Sequence, residues 1–149
     1  MKTEKFSDGI PDKRISDFIK KHHVFTLATS VNNDPYCCSC FYVYDEASNK
    51  FIFTSDLSTR HASEMLDNKR VAIAVSLETT MVGKIRGVQV CGFVNKLKDE
   101  DFEKAKKKYI AKFPIAALSD LVLWEVTPDF IKLTDNRLGF GKKLIWEKV

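Results

Sequence analysis

The spacing of apolar residues changes period several times along this chain, and each change marks an element. Between Pro11 and His22, Ile15, Phe18 and Ile19 fall at i, i+3 and i+4, which predicts an amphipathic helix with Pro11 in its first turn. From Val24 to Tyr44 the period shortens to that of strands. VFTLATS, the turn residues Asn32-Asn33-Asp34-Pro35 and YCCSCFYVY together predict a hairpin. Asp45 to Asn49 predicts a second turn, leading to a short strand, Phe51-Ile52-Phe53-Thr54. A polar turn, Ser55 to Ser58, then opens a helix from Thr59 to about Asp67. Val71 to Leu77 is nearly continuous in apolar residues and predicts a buried strand.

Beyond a polar loop, Glu78 to Lys84, the run Ile85 to Leu97 alternates, with Val88, Val90 and Val94 on one face and Gln89, Cys91 and Phe93 on the other. Gly92 in the middle of this run predicts a bulge or a sharp barrel bend. Asp99 to Lys112 predicts a charged helix with Phe102, Ala105, Tyr109 and Ile110 as its buried stripe, ending before Pro114. Leu121 to Val126, Phe130 to Thr134 and a stretch around Leu144 to Trp146 complete the strands. Six to seven antiparallel strands with few helices predict a mainly β fold, a closed or partly closed barrel, in a single domain over residues 1–149. A barrel of this size has little interior volume, so a sizeable ligand is expected on an outer surface or a subunit boundary.

Composition adds bounds rather than direction. With 44% hydrophobic and 30% charged residues the chain reads as an ordinary water-soluble protein, and no run approaches the ~18 apolar residues of a membrane span. A net charge of +4, from 24 Lys and Arg against 20 Asp and Glu, favours small anionic ligands and falls short of a nucleic-acid surface. Lys104, Lys106, Lys107 and Lys108 are interleaved with Asp101 and Glu103 and read as a solvated helix face. Cys37, Cys38 and Cys40 share one strand, with Cys91 elsewhere; no CxxC or His-containing ligand spacing accompanies them. They read as reduced thiols of a cytoplasmic protein, with no metal assigned. The polar stretch Met1 to Pro11 predicts no element.

The candidate chemistry gathers where the second helix begins. A helix start carries unpartnered backbone N–H groups and the positive end of the peptide dipole, which together favour a phosphate. Here it adds hydroxyls at Ser58 and Thr59, the guanidinium of Arg60 and the imidazole of His61. The competing reading is an ordinary cap at Ser58 with Arg60 and His61 solvated.

Several runs carry a resemblance. HVFTLATSVNNDPYCCSCFYVYDEASNKFIFTSDLSTRHASEML resembles the N-terminal half of the pyridoxamine 5′-phosphate oxidase-like, FMN-binding split barrels, and RGVQVCGFV, LWEV and IKLTDNRLGFGKKLIW resemble their YhbP-like branch. The resemblance implies a homodimer with FMN at the subunit interface, a small-molecule substrate, and flavin-dependent hydride or electron transfer. It implies a strand along the flavin ring at Cys38, Ser39, Cys40 and Phe41, ribityl and phosphate contacts at Thr54 and Ser55, and a phosphate grip at Thr59, Arg60 and His61. Lys84, Arg86 and Gln89 are the implied polar contacts from the neighbouring subunit. Two departures matter: His61 stands where a lysine is usual, and Arg137-Leu138-Gly139 stands in place of the oxidases' Arg-Leu-His string. They imply a retained flavin site with a different or lost substrate. The alternatives are a non-catalytic dimeric module holding FMN, haem or nothing, and a haem-degrading enzyme, for which His22, His23 and His61 are the available axial ligands.

Overall fold

The computed structural model describes residues 2–149, so Met1, the start of the polar stretch, lies outside the described residues. The first element is a strand, β1 (Thr3–Phe6), followed by α1 (Lys13–Lys21), β2 (Val24–Val31), β3 (Asp34–Asp45) and β4 (Lys50–Thr54). Then come α2 (Arg60–Asp67), β5 (Arg70–Ser76), β6 (Arg86–Lys96), α3 (Asp99–Lys112), β7 (Leu123–Asp135) and β8 (Lys143–Glu147). The fold is mainly β, as the patterning predicts, but the described residues hold eight strands rather than six to seven, and one pairing, β1 with β8, is parallel. β1 escapes a reading of apolar periodicity because Glu4 and Lys5 sit in it and its partner lies at the far end of the chain.

Local chemistry explains the boundaries. Asn32 and Asn33 adopt φ of 52° and 63°, the left-handed pair that closes a two-residue hairpin. The turn is therefore shorter than expected: Asp34 and Pro35 already pair with Val31 and Ser30. Asp12 caps α1, its carboxylate accepting from the Arg14 N–H at 2.9 Å, so Pro11 precedes the cap instead of occupying the first turn. α3 ends at Lys112, ahead of Pro114, with Ala105 and Tyr109 buried.

β7 closes the barrel. One of its edges runs along β6; the other pairs with β4 over Leu123–Val126 and with β8 over Phe130–Thr134. The ring is thus β7-β4-β3-β2-β5-β6, and β8 and β1 extend it as a flap. The two strands expected on either side of Pro128 are one strand, and the register shift lies between Cys91 and Gly92 of β6, opposite Pro128 and Phe130. The extra residue is Asp129, so β6 keeps its alternation while β7 changes phase, and a proline is tolerated at such a bulge. Gly92 is required there: a Cβ on it would lie 2.5 Å from the Thr127 carbonyl oxygen. The interior is filled by Phe25, Tyr42, Phe51, Phe53 and Trp124, with Phe25 stacked on Tyr42 at 5.2 Å. Trp146 is also buried, and α3 covers a second cluster around Ile52 and Leu123.

Candidate functional site

The exit from β4 is pinned before α2 begins. The Thr54 hydroxyl donates to the Val122 carbonyl at 3.0 Å, the Ser55 N–H donates to the same oxygen at 3.2 Å, and the Trp124 indole donates to the Ser55 carbonyl at 3.0 Å. Asp56 then organises the turn. Its carboxylate accepts from the Ser58 N–H at 2.8 Å, which holds it below the usual carboxylate range, and its carbonyl accepts from the N–H and hydroxyl of Thr59. Thr59, not Ser58, is the cap: its hydroxyl oxygen accepts from the Ala62 N–H at 3.2 Å. Among the described residues, nothing accepts from the N–H groups of Arg60 and His61.

Arg60 leaves the helix outward. Its Nε donates to Glu64 at 2.6 Å, a second nitrogen donates to Asp34 at 3.3 Å, and the guanidinium lies 4.2 Å from the Tyr36 ring centroid. The Glu64 carboxylate, first among these partners, pushes the Arg60 pKa up. A phosphate approaching Arg60 therefore meets a guanidinium already shared with two acids. His61 turns the other way: its Nε2 is 2.7 Å from Ser55 Oγ and 3.4 Å from Thr59 Oγ1. Burial lowers its pKa against the opposing pull of Glu64, which keeps the imidazole neutral near pH 7.

Alternation along β3 sends Cys38 and Cys40 inward on the face that carries Tyr42, while Ser39 is exposed on the other face. Phe41 is 57% exposed and packs on Phe113 at 5.4 Å between ring centroids. The Cys38 and Cys40 sulfurs are 3.9 Å apart, Cys40 is also 3.9 Å from Ser55 Oγ, and Cys37 points to solvent. The hydrogen bond between the two thiols lowers the pKa of Cys40 and raises that of Cys38, burial adding to the rise at Cys38. Together Cys38, Cys40 and His61 bring three metal-ligating atoms within 4.8 Å of one another. Sequence reading assigned no metal here because His61 lies beyond the next strand and turn. The available signal was the Cys38-Ser39-Cys40 spacing, which puts both thiols on one face.

Beside this cluster β3 has an open edge. Its residues from Asp34 to Phe41 pair with β2, whereas β4 pairs only with Tyr42–Asp45. Half of the backbone groups of the Cys38–Phe41 stretch are therefore free of a strand partner. The remaining candidates lie elsewhere in the subunit. Lys84 is exposed in a 3-10 turn, Val82–Lys84, before β6 rather than on it. Arg86 lies 5.7 Å from the Phe18 ring and lines a cavity of about 170 Å³ with Arg14, Lys21, Asp135 and Arg137. Gln89 is exposed on the outer face of the sheet, where Thr26, Ala28, Ala72, Ala74, Cys91 and Phe130 line a shallow trough of about 350 Å³.

Residues 11–135 match the family model described as pyridoxamine 5′-phosphate oxidase. A UPF0306 protein of Yersinia pseudotuberculosis is 37% identical over 135 residues, 91% of this chain and 92% of that protein. A solved FAD-binding protein from Mesorhizobium loti superposes with a TM-score of 0.66 at 18% identity, over 80% of this chain and 89% of that one. A haem-binding protein from Mycobacterium smegmatis gives a TM-score of 0.72 at 15% identity, over 90% of this chain and 58% of that longer one. The structural likenesses speak to the fold. The match over residues 11–135, on a barrel whose β7 divides one edge between two partners, carries the assignment: the chain belongs to the pyridoxamine 5′-phosphate oxidase family.

Proposed function

We propose that the chain is an FMN-binding flavoprotein, a single cytoplasmic domain that works as a homodimer on a small-molecule substrate. The observation that supports it most is the pairing of two unfilled features: the free Arg60 and His61 amides at the start of α2, and the open edge of β3 beside them. The first suits a phosphate and the second suits the hydrogen-bonding rim of a flavin ring. The donor set fits FMN. Arg60 gives up its long, exposed bond to Asp34 at little cost, because solvent screens such surface pairs.

In this reading the Arg60 and His61 N–H groups, with the Arg60 guanidinium, hold the phosphate, and Thr54 and Ser55 flank the ribityl chain. The β3 edge from Cys38 to Phe41 orients the ring through backbone groups. When bound, FMN would supply hydride or electron transfer to a small organic acceptor. The outer trough of small side chains from Thr26 to Phe130 supports a second copy lying against β2, β5 and β6, with Gln89 presented to it, whereas Arg86 faces Phe18 on the other side of β6. Four free thiols accord with a reducing compartment, and among the described residues no helix is long and apolar enough to cross a membrane.

Titration of the purified protein with FMN, followed by quenching of flavin fluorescence, tests the reading, and Arg60→Ala should bind roughly 10- to 100-fold more weakly. Unchanged affinity in Arg60→Ala overturns the phosphate placement. A protein that ignores FMN, or that purifies with a Soret band, overturns the flavin assignment.

A further inference from the structure

We propose that Cys38, Cys40 and His61 form a binding site for a zinc-like divalent cation on the inward side of β3. The residue types are those that zinc selects, two thiolates and an imidazole, and soft sulfur donors disfavour magnesium and calcium. The geometry is close to what the ion requires. Two thiolates at about 2.3 Å from a tetrahedral zinc stand about 3.8 Å apart, and these sulfurs are 3.9 Å apart without any ion. All three ligand atoms lie within 4.8 Å of one another, so closing on an ion moves side-chain ends by about an ångström.

The backbone around the ligands is fixed, which makes the arrangement a site rather than a coincidence of loops. Cys38 and Cys40 lie in register with Leu27 and Phe25 of β2, and His61 is in the first turn of a helix anchored by buried Ala62 and Met65. The imidazole presents Nε2 toward the thiols, meeting Ser55 Oγ at 2.7 Å on the way. Both side chains pack against the edge of the core but are only partly buried, unlike the aromatic rings that follow on the same face. Three protein ligands leave a fourth position for water or an added ligand, the open type of site found where zinc polarises a bound group. The hydroxyls of Ser55 and Thr59 stand within reach to hydrogen-bond that occupant. Binding releases the protons of the two thiols.

This inference does not rest on the flavin reading, although both use His61, and the experiment keeps them apart. Reduced, chelator-stripped protein is titrated with Co2+ and, in competition with a chromophoric chelator, with Zn2+; FMN titrations run in parallel. The expected result is one equivalent of metal, thiolate-to-cobalt charge-transfer bands with the strong visible bands of a tetrahedral ion, and a Tm that rises with zinc. Cys38→Ser/Cys40→Ser should bind zinc at least ~100-fold more weakly and His61→Ala at least ~10-fold, while Cys37→Ser, on the opposite face, should bind as the parent does. The proposal is overturned if the parent holds zinc no tighter than the double serine variant, if bound cobalt shows no thiolate bands, or if Cys37→Ser loses the metal. Zinc binding without FMN binding rejects only the flavin reading, and the reverse rejects only the metal site.

Discussion

The inward face of β3 differs at its two ends. At one end Tyr42 and Tyr44 are buried, and both hydroxyls are satisfied, Tyr42 donating to the Ile19 carbonyl at 2.5 Å and Tyr44 to Asn49 at 2.7 Å. Their rings pack on Phe25 and Phe51, and burial pushes both phenols well above their ordinary pKa. At the other end Cys38 and Cys40 are half-buried against the edge of the core, and the polar contacts of their sulfurs are with each other and, for Cys40, the Ser55 hydroxyl. The strand's two-residue period sends all four side chains the same way, so the covering element makes the difference. Interior aromatics close the tyrosine end, whereas the polar first turn of α2 borders the thiol end and leaves it partly open.

Mutation can break that contrast. Phe51→Ala opens a cavity in the closed end and should cost about 3–5 kcal/mol in urea unfolding, whereas Cys40→Ala, at the open end, should cost less than ~1.5 kcal/mol. Equal costs would make the thiols ordinary core. Tyr42→Phe strips one bond from the Ile19 carbonyl and should cost about 1–2 kcal/mol in the same assay, with metal and flavin binding unchanged.

The smallest effect sharpens the difference between the two thiols. Cys40 has a pKa below that of an ordinary thiol and Cys38 one above it, so at a given alkaline pH Cys40 holds the larger thiolate fraction. Iodoacetamide labelling followed by mass spectrometry should modify Cys40 before Cys38, the increase of its rate with rising pH setting in at a lower pH than that of Cys38. Cys38 reacting first would reverse the direction of the hydrogen bond between them.

Much of the barrel is written locally. The Asn32-Asn33 pair needs only its own backbone to turn the β2–β3 hairpin, and Gly92 marks by itself where the chains cross too closely for a Cβ. What was missed is non-local. Pro128 looks like a strand breaker until β4 and β8 are seen to share one edge of β7 on either side of it. At the candidate site, Arg60 is legible as a cation at a helix start, but its sharing with Asp34 and Glu64 depends on the hairpin tip folding beside α2. The meeting of His61 with Cys38 and Cys40 likewise exists only once β3 and α2 pack together.

The parallel pairing of β1 with β8 has a consequence for the order of events as the chain is made. Thr3 to Phe6 leave the ribosome long before Lys143 to Trp146, their only strand partners among the described residues, so β1 waits unpaired for β8. The six-strand ring closes through pairings that do not involve it. Docking of β1 is thus a closing step of assembly, and during synthesis its exposed backbone is a segment that a chaperone can hold.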